Sequence, residues 1–368
     1  MAEKVRVGII GAGRWADLVL APGVQAHPQA DLVAVCRRTK GSAEEFAAKF
    51  GATQVFTDYR DLVRLDGLDA VVVATPNATH YETCLAAFEQ GLHVFCEKPI
   101  AMTTAQAKEL WLAADAAGVK NMVSFTARFL PHARYVKRLL DRHWCGRLFH
   151  FNLNKQAGYG GIDTPFKWRW DREQAGGGVL ADLGSHGLDL ARWLVGDIKR
   201  VCATLPTFIR ERPDVRTGEL REVNVDDAAA ILVEFENGVQ GVLHISWVAH
   251  KGRTQTVELC GEDGALIFDS NPEGWEMGLR GSRRGDEKRV ELPVPPELWE
   301  GIDDSTPERG FRSFIEDYPG PTRRFLDVIL GDEPSAPSFY DGMKAQELIE
   351  AAQISDRERR WVELPLAG

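Results

Sequence analysis

The run VRVGII (5–10) passes directly into the turn GAGRWA (11–16), and this junction constrains the fold more than any other stretch of the chain. A β-branched-rich run of this kind reads as a strand buried on both faces. In the turn that follows, Gly11 permits a tight reversal, Gly13 lets the backbone approach a pyrophosphate, and small Ala16 lets the next helix pack on the strand. The N-terminus of that helix then faces the phosphates. A strand, glycine turn and helix in this order predict a dinucleotide site, with Arg14 and Trp15 joining Gly11, Gly13 and Ala16 around it.

The same strand signature returns in LVAVC (32–36), AVVVAT (70–75) and HVFC (93–96), with helical patterns between. SAEEFAAKF begins with Ser42 and Glu45 at capping-box spacing, and TTAQAKELWLAADAAG repeats the device with Thr103 and Gln106 before closing at Gly118. Such alternation folds as right-handed βαβ units, hence an α/β, doubly wound parallel sheet of the Rossmann type. An NAD-binding fold carries an acidic residue near the end of its second strand, where it holds the ribose. Here VAVCRRTK puts Arg37 at that place, followed by Arg38, Thr39 and Lys40. Guanidiniums suit a 2′-phosphate, so NADP is the expected cofactor, with NAD as the alternative.

Single cores stop growing at about 250–300 residues, so a chain of 368 is expected to form two domains. The rhythm changes near residue 124, which divides a Rossmann domain at 1–124 from an α+β domain at 125–368 whose last helices can pack back on the first. In the second part, a helical stretch at about 131–141 precedes GRLFHFNLN. AAAILVEFENGVQGVLHISWVAH reads as two strands around Asn237-Gly238, and TVELCGEDGALIFD as a second hairpin turning at Asp263-Gly264. Neighbouring hairpins predict an antiparallel sheet. The stretch 271–322 reads as loops with one or two edge strands, and helices at about 323–330 and 341–355 finish the chain.

Between the helical stretch and the hairpins lies GGGVLADLGSHGLDL (176–190). Asp182 and His186 stand four positions apart, which on an α-helix puts a carboxylate and an imidazole on one face. Oxidising an alcohol needs a proton removed as hydride departs. Imidazole titrates near neutrality, and a neighbouring carboxylate fixes its tautomer. Lys98, at the carboxyl end of a parallel strand, lies where Rossmann folds bind ligands, and an ammonium there favours alkoxide character. One Asp/His pair makes only half a metal site, so no metal is expected.

Together with ATPNATHYE (74–82) and HVFCEKPIA (93–101), the glycine-led segment resembles the glucose–fructose oxidoreductase/inositol dehydrogenase/MocA family over the whole chain. The resemblance implies a Rossmann domain followed by a domain built on an open, mostly antiparallel sheet. It implies an oxidoreductase acting on CH–OH groups of a sugar, polyol or related cyclic compound. Carried over residue by residue, it implies that Lys98 of Glu97-Lys98-Pro99 holds the reacting hydroxyl, that His186 is the acid–base, and that Asp182 orients it or binds substrate. Thr75, Pro76, Asn77, His80, Glu97, Lys98, Trp168 and Arg169 become cofactor neighbours. Arg128 joins Lys98, Asp182 and His186 as a substrate contact. One alternative inside the family is a glycosidase that works by transient oxidation with its nicotinamide tightly bound. Another is a non-catalytic, cofactor-sensing protein, which has no need of the full Lys98/Asp182/His186 set.

The formal net charge of −10 argues against nucleic acid or an anionic membrane as partner. No apolar run approaches the roughly 18 residues of a membrane span. MAEKVRVGII shows no cleavage pattern, and the six cysteines are scattered without CxxC pairing, which fits a cytoplasmic protein. The expected partners are a small carbohydrate or polyol and further copies of the chain, as a homodimer or homotetramer formed over the exposed sheet face.

Overall fold

The computed structural model describes residues 4–250, 252–270, 277–300, 302 and 320–367. These fall into two compact units: one runs up to Phe125 and takes in the later residues up to Gln346, within helix Phe339–Glu358, and the other begins at Thr126 and resumes at Glu347.

The first unit holds a six-stranded parallel sheet in the order β3-β2-β1-β4-β5-β6. Its strands are β1 (Val5–Ile10), β2 (Ala30–Cys36), β3 (Gln54–Phe56), β4 (Ala70–Val73), β5 (His93–Cys96) and β6 (Asn121–Val123). This is the strand order of a dinucleotide-binding Rossmann sheet. The continuous apolar runs arise because both faces are covered: every residue of β4 is buried, as are Val7, Ile9 and Ile10 of β1. Helix Thr104–Ala117 starts as expected, with Thr103 accepting from the Gln106 amide and Gln106 reaching back to the Met102 amide. The preceding helix departs from expectation. It spans Lys40–Phe50, so Ser42 lies inside the first turn and caps nothing. Thr39 is the last extended residue, and the Ala43 amide bonds its carbonyl at 3.1 Å, closing the turn before Ser42 is reached.

The second unit is built on a nine-stranded sheet. Its strands are β7 (Leu148–Ala157), β8 (Ile198–Thr204), β11 (Ala228–Phe235), β12 (Gln240–Ser246), β13 (Arg253–Gly261), β14 (Gly264–Ser270), β15 (Met277–Arg283), β16 (Val290–Glu291) and β17 (Val362–Glu363). A separate hairpin pairs β9 (Glu211–Pro213) with β10 (Leu220–Glu222). The large sheet runs β16-β15-β14-β13-β7-β12-β11-β8-β17. Both hairpins anticipated from the sequence form, and pairing is antiparallel throughout except between β7 and β12. One face is apolar and buried, with Phe151, Leu153, Ile231, Val233, Leu243, Ile245, Leu259 and Phe268. Helix Ser185–Val195 lies against it, where a Cβ on Gly187 would stand 3.4 Å from Leu153 and 3.5 Å from Leu243. The opposite face, which includes Leu232, Val242, His150, Asn152 and His244, is open in the single chain.

Candidate active site

In the first unit the strand ends converge on the glycine turn. The Gly11 amide bonds the Cys36 carbonyl at 3.0 Å, and the Ala74 amide bonds the Ile10 carbonyl at 2.8 Å. Gly11 has φ +93°, and a Cβ there would stand 2.5 Å from the Ala74 carbonyl carbon and 2.6 Å from the Thr75 nitrogen. No other residue can hold that place. Gly13 is different: the nearest atom to its would-be Cβ is the Gly11 carbonyl oxygen at 4.0 Å. The protein's own packing does not demand glycine there, whereas a pyrophosphate laid on the turn would. Ala16 is fully buried and Arg14 is exposed. A one-turn π-helix, Ala16–Leu20, opens the helix that follows.

Trp15 links this turn to β5, its indole N–H donating to Glu97 Oε1 at 2.8 Å. Burial pushes the Glu97 carboxyl up, and the Lys98 charge and the Trp15 bond work against that rise. Lys98 follows, half-buried, and its peptide bond to Pro99 is cis. Thr75 and Pro76 continue from β4, with Asn77 buried beside them. His80 is wholly buried: Nδ1 lies 2.7 Å from the Pro99 carbonyl and Nε2 lies 2.9 Å from the Thr75 carbonyl. Both ring nitrogens are thus committed to backbone. His80 ties the two loops together instead of presenting a nitrogen to the cofactor, and burial lowers its pKa.

At the end of β2, Arg37 and Arg38 are exposed, and neither side chain has a partner among the described residues. The corner is not purely basic. Burial and the nearby carboxylates of Asp58 and Asp61 push the Cys36 thiol up to about 11. These acids come from the segment after β3, so a search confined to the second strand could not find them.

In the second unit, the three glycines at 176–178 answer to the chain's own packing. Gly176, at φ +75°, ends the short helix Arg172–Ala175. A Cβ on Gly178 would fall 1.9 Å from the Asp226 carbonyl oxygen. Buried Asp226 accepts from the Gly178 amide at 2.8 Å and the Leu180 amide at 2.7 Å, so it anchors the start of the segment bearing Asp182. Burial raises its pKa, and those two bonds oppose the rise.

That segment is not one α-helix. Leu180–Gly184 forms a π turn, and the α-helix begins only at Ser185. The i,i+4 phase expected for Asp182 and His186 therefore breaks between them, since a π turn closes its bonds at i+5. His186 is buried and Asp182 half-buried, and the Tyr159 hydroxyl donates to Asp182 Oδ2 at 2.5 Å. Arg128, expected to contact substrate, is bonded to Asp189: Nε donates to Oδ2 at 2.7 Å and Nη2 to Oδ1 at 2.6 Å. A fully buried carboxylate requires such a partner. Arg169 lies over the Trp168 ring at 4.5 Å, and both are half-buried. Its charge is felt at Tyr159, which puts this pair with the Asp182 group. Among the described residues no cluster of three or more His, Cys, Asp or Glu could hold a metal.

A parallel sheet in Rossmann order, carrying a glycine turn left uncrowded at Gly13, has the architecture of a dinucleotide-binding domain. Residues 5–125 match the family model described as "Oxidoreductase family, NAD-binding Rossmann fold", and residues 133–267 match the GFO/IDH/MocA C-terminal domain. The chain belongs to the glucose–fructose oxidoreductase/inositol dehydrogenase/MocA family. Levoglucosan dehydrogenase of Pseudarthrobacter phenanthrenivorans is 29% identical over 88% of this chain and 87% of its own length. D-glucoside 3-dehydrogenase of Escherichia coli is 30% identical over 73% of this chain and 79% of its own. A levoglucosan dehydrogenase structure in complex with NADH and levoglucosan superimposes with a TM-score of 0.89 at 26% identity, covering 99% of this chain and 100% of the other. No helix among the described residues is long and apolar enough to cross a membrane.

Proposed function

We propose that this oxidoreductase moves a hydride between NADP and a secondary hydroxyl or carbonyl of a sugar, polyol or related cyclic compound. The observation that carries the reading is the Trp15–Glu97 bond, which couples the glycine turn to the segment bearing Lys98. When bound, the nicotinamide supplies the hydride acceptor. Gly11, Gly13 and the adjoining amides hold the phosphates, and Thr75, Pro76 and Asn77 line the loop beside them. Lys98 donates to the reacting oxygen and favours its alkoxide form. His186 takes the hydroxyl proton on an imidazole nitrogen, and Asp182 stabilises the resulting imidazolium. The relatives named as dehydrogenases favour net oxidation over transient oxidation by a glycosidase.

The test is to offer a panel of sugars and polyols with NADP and with NAD, and to follow the nicotinamide absorbance. Turnover with none of them would overturn the reading. The cofactor preference rests on Arg37 and Arg38. Charge-assisted bonds contribute about 1.5–3 kcal/mol each, so NADP should lead NAD at least about tenfold in kcat/KM. Arg37→Asp should reduce or reverse that lead. Equal efficiency with both cofactors, or a ratio unmoved by the substitution, would remove the assignment.

The open sheet face supports self-association. Leu232 and Val242 face each other in register on it, 47% and 44% exposed, and nearby charges close on themselves as Arg200–Glu234, Arg280–Asp269 and Arg289–Glu258. A face with an exposed apolar pair, uncharged polar neighbours and mutually paired charges suits a second copy of itself. Sedimentation should show wild type as a dimer or tetramer and the Leu232→Glu/Val242→Glu double variant as a monomer. A monomeric wild type would refute this surface.

A further inference from the structure

The loop that follows β7 is held by an expensive device. Arg212 is wholly buried. Its Nη2 donates to the Gly160 carbonyl at 2.6 Å, and its Nη1 to the carbonyls of Gly161 at 2.8 Å and Thr164 at 3.0 Å. Its counter-charge, Asp227, lies 3.8 Å away and is equally buried. The guanidinium sits 4.8 Å over the Trp170 ring, which stacks on Trp247 at 5.0 Å. Trp247 in turn donates to Asp227 at 3.1 Å, and its carbonyl accepts from the Gly160 amide at 2.9 Å. A Cβ on Gly160 would meet the Trp247 ring at 2.7 Å.

Burying an ion pair costs several kcal/mol of desolvation per ion, about as much as the pairing returns. What the turn carries outward is Tyr159. Its ring rests 5.9 Å from that of Trp247, its carbonyl accepts from the Thr164 hydroxyl at 2.9 Å, and its phenol donates to Asp182 at 2.5 Å. Tyr159 remains 46% exposed, so burial of the ring alone does not account for the frame behind it.

We propose that Tyr159 is a positioning residue for Asp182, fixing one carboxylate oxygen so that the other is aimed for the reaction. The idea rests on the role given to Asp182 above. A phenol bonded to a carboxylate makes a short, charge-assisted contact that holds the acceptor in one rotamer. Burial and the Asp182 charge, opposed by Arg169, hold the Tyr159 phenol well above its ordinary range, so it stays a donor wherever the enzyme works.

Tyr159→Phe keeps the ring against Trp247 and removes only the hydroxyl. It should lower kcat about tenfold, equivalent to about 1.4 kcal/mol, with melting temperature, cofactor Kd and substrate KM nearly unchanged. A second readout needs no turnover. In protein carrying 13Cζ-labelled tyrosine, Asp182→Asn should bring one of the six phenols down in pH, and that signal should be missing from Tyr159→Phe/Asp182→Asn. An unchanged kcat in Tyr159→Phe overturns the proposal, as does a phenol titration indifferent to Asp182→Asn. If no substrate in the panel turns over, the function fails separately and the titration alone decides the pair.

Discussion

Lys98→Met is expected to fold, to bind its nicotinamide cofactor, and to lose about a hundred- to a thousandfold in kcat, the usual effect of deleting a group that faces developing oxyanion charge. Methionine approximates the lysine stem, so the packing of this half-buried position changes little. In the proposed assignment the glycine turn, not Lys98, holds the cofactor phosphates. The electrostatic consequence of the substitution falls on Glu97, whose carboxyl is already pushed up by burial, a rise that the Lys98 charge opposes. Without that charge Glu97 protonates more readily, yet a protonated carboxyl still accepts the Trp15 indole bond, so the link to the turn survives. Steady-state rates with a working substrate, beside cofactor titration and thermal melting, check all three expectations. A kcat within a few-fold of wild type would remove Lys98 from the chemistry.

His186→Ala is expected to cost about a hundred- to ten-thousandfold in kcat, the range for loss of a positioned general base. In the oxidative direction the base must be neutral, so wild-type kcat/KM should rise with pH as the imidazole gives up its proton. That inflection should vanish from the variant. Asp182→Asn should be milder and should keep the inflection, because the amide still occupies the place that Tyr159 holds while losing the charge that stabilises an imidazolium. A His186→Ala profile that retains both rate and inflection would mean that another group takes the proton.

What could be read from the sequence was what is local in it. The Rossmann sheet announced itself because strands buried on both faces leave unbroken apolar runs, and because Gly11, Gly13 and Ala16 sit within six residues. Asn237-Gly238 marked its hairpin for the same reason. What stayed hidden depends on separation along the chain. Tyr159 reaches Asp182 across 23 positions, Asp226 reaches Gly178 across 48, and Arg128 finds Asp189 across 61. The parallel pairing of β7 with β12 has no turn to signal it. The π turn at Leu180–Gly184 escaped because its apolar residues also satisfy an α period. The protein partners of Arg128 and His80 stayed out of view because a cation or an imidazole has the same letter whatever it meets in the fold.

The large sheet finishes, among the described residues, on β16 and β17, each two residues long, and β16 has Arg280 and Glu291 beside it while β17 carries Glu363 next to Arg200. Short, charged margins offer an incoming strand almost no backbone to zip onto. An array of nine strands would otherwise be a template for open-ended growth into fibrils. With the margins closed off, the self-association proposed above would proceed face to face rather than edge to edge. Lengthening either terminal strand with apolar residues should therefore promote open-ended aggregation.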